Sequence, residues 1–186
     1  MVESSVDFRG LRVAAFESRR ATEMARLIEK HGGQPFVAPS MREVAIEDNQ
    51  PAIDFAHRLI TGEVDLLIVT TGVGFRFLVA AVEQHVQRER FLNALSDITT
   101  LARGPKAVAA MREVGLIPSR RVPDPNTWRE ILAEIDARPS VPGQTVAIQE
   151  YGLSNASLVA GLEARGSHVL SIPVYRWALP PRPGTG

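Results

Sequence analysis

In FESRRATEM, residues 16–24, Arg19 and Arg20 stand where the apolar run Leu11 to Phe16 ends and an amphipathic helix opens, with Ala21, Met24, Leu27 and Ile28 on one face. A helix N-terminus carries about half a positive charge, so cations in its first turn are disfavoured by roughly 0.3 to 1 kcal/mol each. A bound anion would reverse that sign. The arrangement returns in LARGPKAVAAM, residues 101–111, where Arg103 and Lys106 flank Gly104 and Pro105 after a second strand. A third strand-to-helix turn, in VTTGVGFRFL, residues 69–78, brings Thr70, Thr71 and the amides of Gly72 and Val73 to a helix start, a natural oxyanion site. Gly72 and Gly74 lack the third glycine of a dinucleotide fingerprint, because position 77 is Phe. A fourth turn, QEYGLSN, residues 149–155, places Tyr151 and Gly152 where the others carry a cation. That tyrosine is either a half-buried packing residue or a general acid able to protonate a leaving hydroxyl. Ligands of open α/β sheets bind at the carboxyl ends of the strands, so these turns predict a shared site for an anionic ligand. Solvated surface is the alternative for each cation taken alone.

Composition narrows the rest. The 186 residues are 45% hydrophobic and 23% charged, the profile of a globular protein. Its 21 basic and 21 acidic residues cancel, so no global field draws it to nucleic acid or to an anionic membrane. The absence of cysteine excludes disulfides, thiolate nucleophiles and thiolate metal sites, and fits a reducing cytoplasm. MVESSVDFRG is not a signal peptide, and the apolar stretch Val64 to Val82 is broken by Asp65, Gly72, Gly74 and Arg76, which makes it a strand and a helix rather than a span. His31, His57, His85 and His168 have no metal-ligand spacing, and there is neither a P-loop nor a Gly-x-Ser-x-Gly elbow. The cluster SRR, residues 119–121, is too short to argue for DNA binding.

The elements that must position these turns read as an α/β protein with parallel strands. Apolar runs at Val13 to Phe16, Leu66 to Thr70, Ile98 to Leu101 and Val146 to Ile148 each end at a turn before a helical pattern. Asn49 and Pro51 open a helix with a stripe of Ile53, Ala56 and Ile60, and Gly62 stops it. Thr127 and Glu130 have capping-box spacing ahead of Trp128, Ile131, Leu132 and Ile135. Pro105 starts and Gly115 closes a further helix, and ARPSVPGQ, residues 137–144, is a loop.

An internal repeat ties the ends together. MARLIEKHGGQPFVAPSMR, residues 24–42, aligns with LVAGLEARGSHVLSIPVYR, residues 158–176, at a constant offset of 134, so that Gly32 meets Gly166, Pro39 meets Pro173 and Arg42 meets Arg176. One residue of slack sets Val13 against Val146. A second strand-helix-strand copy therefore begins near Val146.

The ordered set LRVAAFESRRATEMARLIEKHGGQP, VDLLIVTTGVGFRFLV, LARGPKAVAAMREVGL and VAIQEYGLSNASLVAGLEARGSHVLSIPVYRW resembles the uroporphyrinogen-III synthase family over nearly the whole chain. The resemblance implies a cofactor-free, metal-free lyase that closes hydroxymethylbilane into uroporphyrinogen III, losing water and inverting the last pyrrole ring. Substrate and product are polycarboxylates, which would explain the arginines. Tyr151 matches the tyrosine proposed to help the hydroxyl leave. Substrate contacts are then expected at Arg19, Arg20, Thr70, Thr71, Gly72, Val73, Arg103, Gly104, Lys106 and Gly152.

The implied fold is two α/β domains with a flavodoxin-like, doubly wound parallel sheet in the middle one. Residues 1–38 would be the opening unit of an otherwise missing first domain, 39–174 the middle domain, and 175–186 a crossover strand and tail. The chain is expected to be C-terminally truncated, with an open strand edge near Leu11 to Phe16 and doubtful activity. Two alternatives stand beside this reading: the synthase-like module of a transcriptional regulator, and a non-catalytic ligand-binding fragment. Neither nucleic acid nor membrane is an expected partner of this chain.

Overall fold

Leu66, Leu67, Ile68 and Val69 are all buried, and four consecutive apolar residues can be buried in one strand only if both faces of its sheet are covered. The computed structural model, which describes residues 7–137 and 142–180, places them at the centre of a five-stranded parallel sheet. Its strands are β4 (Leu66–Val69), β5 (Thr99–Ala102), β6 (Arg120–Arg121), β7 (Thr145–Glu150) and β8 (His168–Pro173), in the spatial order β6-β5-β4-β7-β8. Leu66 and Ile68 share one face with Leu101, Val146 and Ile148, under α6 (Trp128–Asp136) and α7 (Ala156–Glu163). Leu67 and Val69 share the other with Ala102, Ala147 and Ile172. That second face is covered by α2 (Gln50–Ile60), α3 (Gly72–Glu83), α4 (Arg88–Asp97) and α5 (Pro105–Glu113), through Phe55, Phe75, Phe91 and Met111.

The chain winds from β4 outward to β6, then returns past β4 to add β7 and β8. The direction reverses between β4 and β7, and counted from β7 the strands run in the flavodoxin order. The sheet is parallel, as the alternating pattern predicts, and doubly wound, as the family resemblance implies.

Helix α2 starts and stops where expected: Asn49 caps it by accepting from the Ala52 amide at 3.2 Å, and Gly62 follows with φ of +77°. Its buried face is Ala52, Phe55, Ala56 and Leu59, however, and Ile53 and Ile60 lie at the margin of that face rather than at its centre. Two elements are not foreseen by sequence pattern. Helix α4 mixes charged and apolar residues around buried Phe91 and Leu95, and β6 is two exposed arginines of the SRR cluster at the sheet edge. Among the described residues no helix is long and apolar enough to cross a membrane.

Helix α6 carries the complete capping box. The Thr127 amide and hydroxyl donate to one Glu130 carboxylate oxygen at 2.8 and 2.5 Å, and these bonds hold the Glu130 carboxyl below its ordinary value of 4.5. Thr127→Ala should cost about 1 kcal/mol in denaturant unfolding. Because the folded carboxyl is the stronger acid, the Glu130 contribution is complete above pH 4.5 and is lost as pH falls through its lowered folded value. The difference between parent and Thr127→Ala should shrink in that acid range.

The chain divides into two units: Ala45–Arg176, which holds the five-stranded sheet, and a smaller one that ends at Val44 and resumes at Trp177. The smaller unit contains β1 (Arg12–Ala15) and β2 (Gln34–Val37), parallel, with α1 (Ala21–Lys30) between them in sequence. Ile28 is its one buried residue among those described, and β1 pairs there only with β2. Leu11 and Phe16, which bracket β1, are 66% and 71% exposed. Strands β3 (Arg42–Ala45) and β9 (Tyr175–Ala178) pair with each other, and the unit boundaries fall within both.

The sequence repeat is structural. Arg12 pairs with Gln34 and Val13 with Pro35 in the first copy, as Thr145 pairs with His168 and Val146 with Val169 in the second. The one-residue slack between strand and helix is kept, and Gly32 and Gly166 both end their helices at positive φ, +72° and +80°.

Candidate functional site

The carboxyl ends of β4, β5 and β7 converge where the winding reverses, and a buried glutamine joins them. Gln149 is fully buried in β7. Its Oε1 accepts from the Thr71 amide at 3.1 Å, its Nε2 donates to the Glu150 carbonyl at 2.6 Å, and its own carbonyl accepts from the Thr70 hydroxyl at 2.6 Å. The Thr71 hydroxyl in turn accepts from the Gly74 amide at 3.0 Å and caps α3. The Thr70 and Thr71 hydroxyls thus help to hold the turn. The amides of Gly72 and Val73 remain in the first helical turn, where no intrahelical acceptor exists.

Gly72 and Gly74 serve packing. A Cβ on Gly72 would lie 2.3 Å from the backbone oxygen of Lys106 in α5, and one on Gly74 1.9 Å from Gln149 Nε2. Replacing Gln149 by Leu leaves the Thr71 amide without its acceptor and should cost about 1–3 kcal/mol. Faster hydrogen exchange at Thr71, read by NMR, would accompany that loss.

Beside this junction a small hollow of about 20 Å³ opens between the β7–α7 turn and the start of α6. Ile131, Ile148 and Leu158 line its apolar part, and Thr70, Arg103, Trp128, Glu150, Tyr151 and Asn155 bring polar or aromatic groups to it. The Arg103 amide donates to the Val69 carbonyl at 2.9 Å, which anchors the β5 end to β4, and its guanidinium lies over the Tyr151 ring, 5.1 Å from the centroid. A cation over an aromatic face is attracted by the ring quadrupole, so each side chain restrains the other. Tyr151 itself bridges to Leu153 across Gly152, whose φ of +61° makes the tight turn and suits glycine.

Arg103, Tyr151 and Thr70 therefore meet, and Thr71, Gly72 and Val73 do not line the hollow. Gly104 caps α5 with a side-chain-free position close to Asn126 Oδ1, and Lys106 is exposed on α5 without lining the hollow. Arg19 and Arg20 belong to the smaller unit. Arg19 forms an ion pair with Glu43 and lies 5.9 Å from the Trp177 ring centroid, and the Arg19 and Arg20 amides donate to Glu17 Oε1 at 2.8 and 3.0 Å. The Arg20 and Arg19 amides hold the Glu17 carboxyl below its ordinary value. An acid already present in FESRR supplies the negative charge that the opening of α1 favours, without any ligand. Sequence reasoning misses Gln149, Glu150, Trp128 and Asn155 as site residues; the polar pair ending the otherwise apolar strand TVAIQE is the available signal. Among the described residues no three His, Asp or Glu side chains cluster as a metal site.

The family model described as uroporphyrinogen-III synthase HemD matches residues 22–185. The chain belongs to the uroporphyrinogen-III synthase family. Among this family's solved structures, the uroporphyrinogen III synthase of the extremely thermophilic bacterium Thermus thermophilus superposes with a TM-score of 0.71 in a mutant form, at 29% identity over 92% of this chain and 64% of that one. The wild-type enzyme of the same organism gives 0.64 at 31% identity, over 92% and 63%. The uncharacterized protein YjjA of Bacillus subtilis strain 168 is 31% identical over 176 residues, 95% of this chain and 64% of the relative. The chain spans just under two thirds of the length of these uroporphyrinogen-III synthase structures and of YjjA.

Proposed function

We propose that the chain serves tetrapyrrole biosynthesis in the cytoplasm as a uroporphyrinogen-III synthase, a lyase that converts hydroxymethylbilane into uroporphyrinogen III without a cofactor. The observation that carries this reading is the meeting of Arg103 and Tyr151 at the hollow beside the switch point, in a chain of this family. Tyr151 gives its phenolic proton to the hydroxyl that leaves the terminal pyrrole, which departs as water. Arg103 holds the tyrosine ring by its face and offers a cation to substrate carboxylates. Lys106 adds a cation beside them, the Gly72, Val73, Gly104 and Gly152 backbone supplies neutral contacts, and Arg19 and Arg20 are the cations that the smaller unit by itself offers a polycarboxylate.

Ring inversion demands that the last ring attack through its substituted carbon. A surface that holds the bilane curled contributes to this by positioning rather than by a dedicated group. The experiment is to supply hydroxymethylbilane, oxidise the products and separate the isomers. Isomer III in excess over isomer I supports the proposal; isomer I alone, the product of uncatalysed closure, overturns it.

A further inference from the structure

Glu150 closes β7 beside Tyr151, yet general acid catalysis by the tyrosine leaves it idle. Its side chain is buried, with 6% of the residue exposed, and no arginine, lysine or histidine among the described residues forms an ion pair with it. Oε1 accepts from the Ser154 hydroxyl at 2.7 Å and the Ser171 hydroxyl at 3.2 Å. Oε2 accepts no hydrogen bond from any described residue, and Glu150 lines the same hollow as Arg103 and Tyr151. A buried carboxylate without a cation is costly unless something else satisfies it; Oε2 is not among the fully buried unpartnered atoms, so it keeps access to solvent. Two serines fix one oxygen and leave the other as an acceptor in a site that otherwise offers a cation and a phenol.

We infer that Glu150 is the acceptor for a ligand N–H, and that for the proposed substrate this is the pyrrole N–H of the ring that loses its hydroxyl. The inference rests on the synthase reading. A pyrrole with carboxylate side chains carries both complements, an N–H for Glu150 and anions for Arg103. The chemistry also demands an acceptor there. As the C–O bond breaks, its electron pair leaves with the oxygen, which takes the Tyr151 proton and departs as water. The ring becomes electron-poor, its nitrogen shares the positive charge, and the N–H proton passes to Glu150. The products of this step are water, a neutral azafulvene, the Tyr151 phenolate and protonated Glu150, so atoms and charge balance. Nitrogen held by a carboxylate stabilises the cationic transition state more than the neutral ground state, which makes the effect one on turnover.

Two arms test it. In the first, a monopyrrole bearing acetate and propionate side chains and its N-methyl analogue are titrated into the chain by calorimetry. The parent should bind the N–H compound at least tenfold more tightly, and Glu150→Ala, checked for native circular dichroism, should reduce that preference to under twofold. In the second, Glu150→Gln keeps an oxygen acceptor for both serines while removing the charge. It should lower the rate of isomer III formation at saturating bilane about a hundredfold and change KM less than threefold. Equal binding of the two monopyrroles by the parent, or unchanged turnover in Glu150→Gln, overturns the role of Glu150 and leaves the synthase reading standing. Failure of the parent to bind either monopyrrole removes the hollow as a pyrrole site, and the Glu150 role with it.

Discussion

Tyr151→Phe should lower the rate of isomer III formation about a hundredfold or more at saturating hydroxymethylbilane, with the fold unchanged. Only the phenolic oxygen is removed. The ring keeps its place against the core and beneath the Arg103 guanidinium, and no described hydrogen bond of the fold uses the hydroxyl. An unaltered thermal midpoint with reduced turnover separates chemistry from packing, and KM should move little because the ring and Arg103 still line the hollow. Turnover within twofold of the parent would make Tyr151 the packing residue that its half-buried position also permits.

Gly72→Ala should strongly destabilise the larger unit. The new Cβ would meet the Lys106 backbone oxygen at 2.3 Å and Ala110 Cβ at 3.3 Å. A backbone atom cannot swing aside, so α3 and α5 must separate, at about 2–3 kcal/mol and roughly a 5–10 °C lower midpoint. The Arg76–Glu113 ion pair bridging the same two helices, at 2.6 and 2.7 Å, is half exposed and cannot compensate. Gly104→Ala is the control. Its backbone is extended at φ −168° and the nearest atom is a side-chain oxygen, Asn126 Oδ1, at 3.1 Å, so a much smaller loss is expected. Parental stability in Gly72→Ala would mean that the glycine is there to let a ligand approach the backbone, not to let two helices meet.

Gly72 and Arg19 mark the difference between what is legible along the chain and what is not. Both glycines of TTGVG and both arginines of ESRR suit a ligand-binding reading, because a small residue or a cation beside a helix start is compatible with an anion. In the fold, two of them also meet distant parts of the chain. Gly72 admits the carbonyl of a helix 34 residues later, and Arg19 finds Glu43, 24 residues on. Neither partner is implied by local spacing.

By itself, the sequence determined the alternation of strand and helix, the caps at Asn49 and Thr127, the Gly stops, and the repeat that sets Gly32 against Gly166. These follow from rules acting within a few residues, such as side-chain period, missing amide partners and tolerated φ, so they can be read along the chain. The family resemblance, too, needed only ordered segments. Tertiary structure alone decided that Arg103 lies over Tyr151, that Gln149 binds the β4–α3 turn, and that Glu150 is buried with one oxygen left over. The physical reason is the parallel sheet. Its crossovers bring residues 70, 103 and 150 together at adjacent strand ends, and which side chains then share the space between them depends on strand order and close packing, which no single segment encodes.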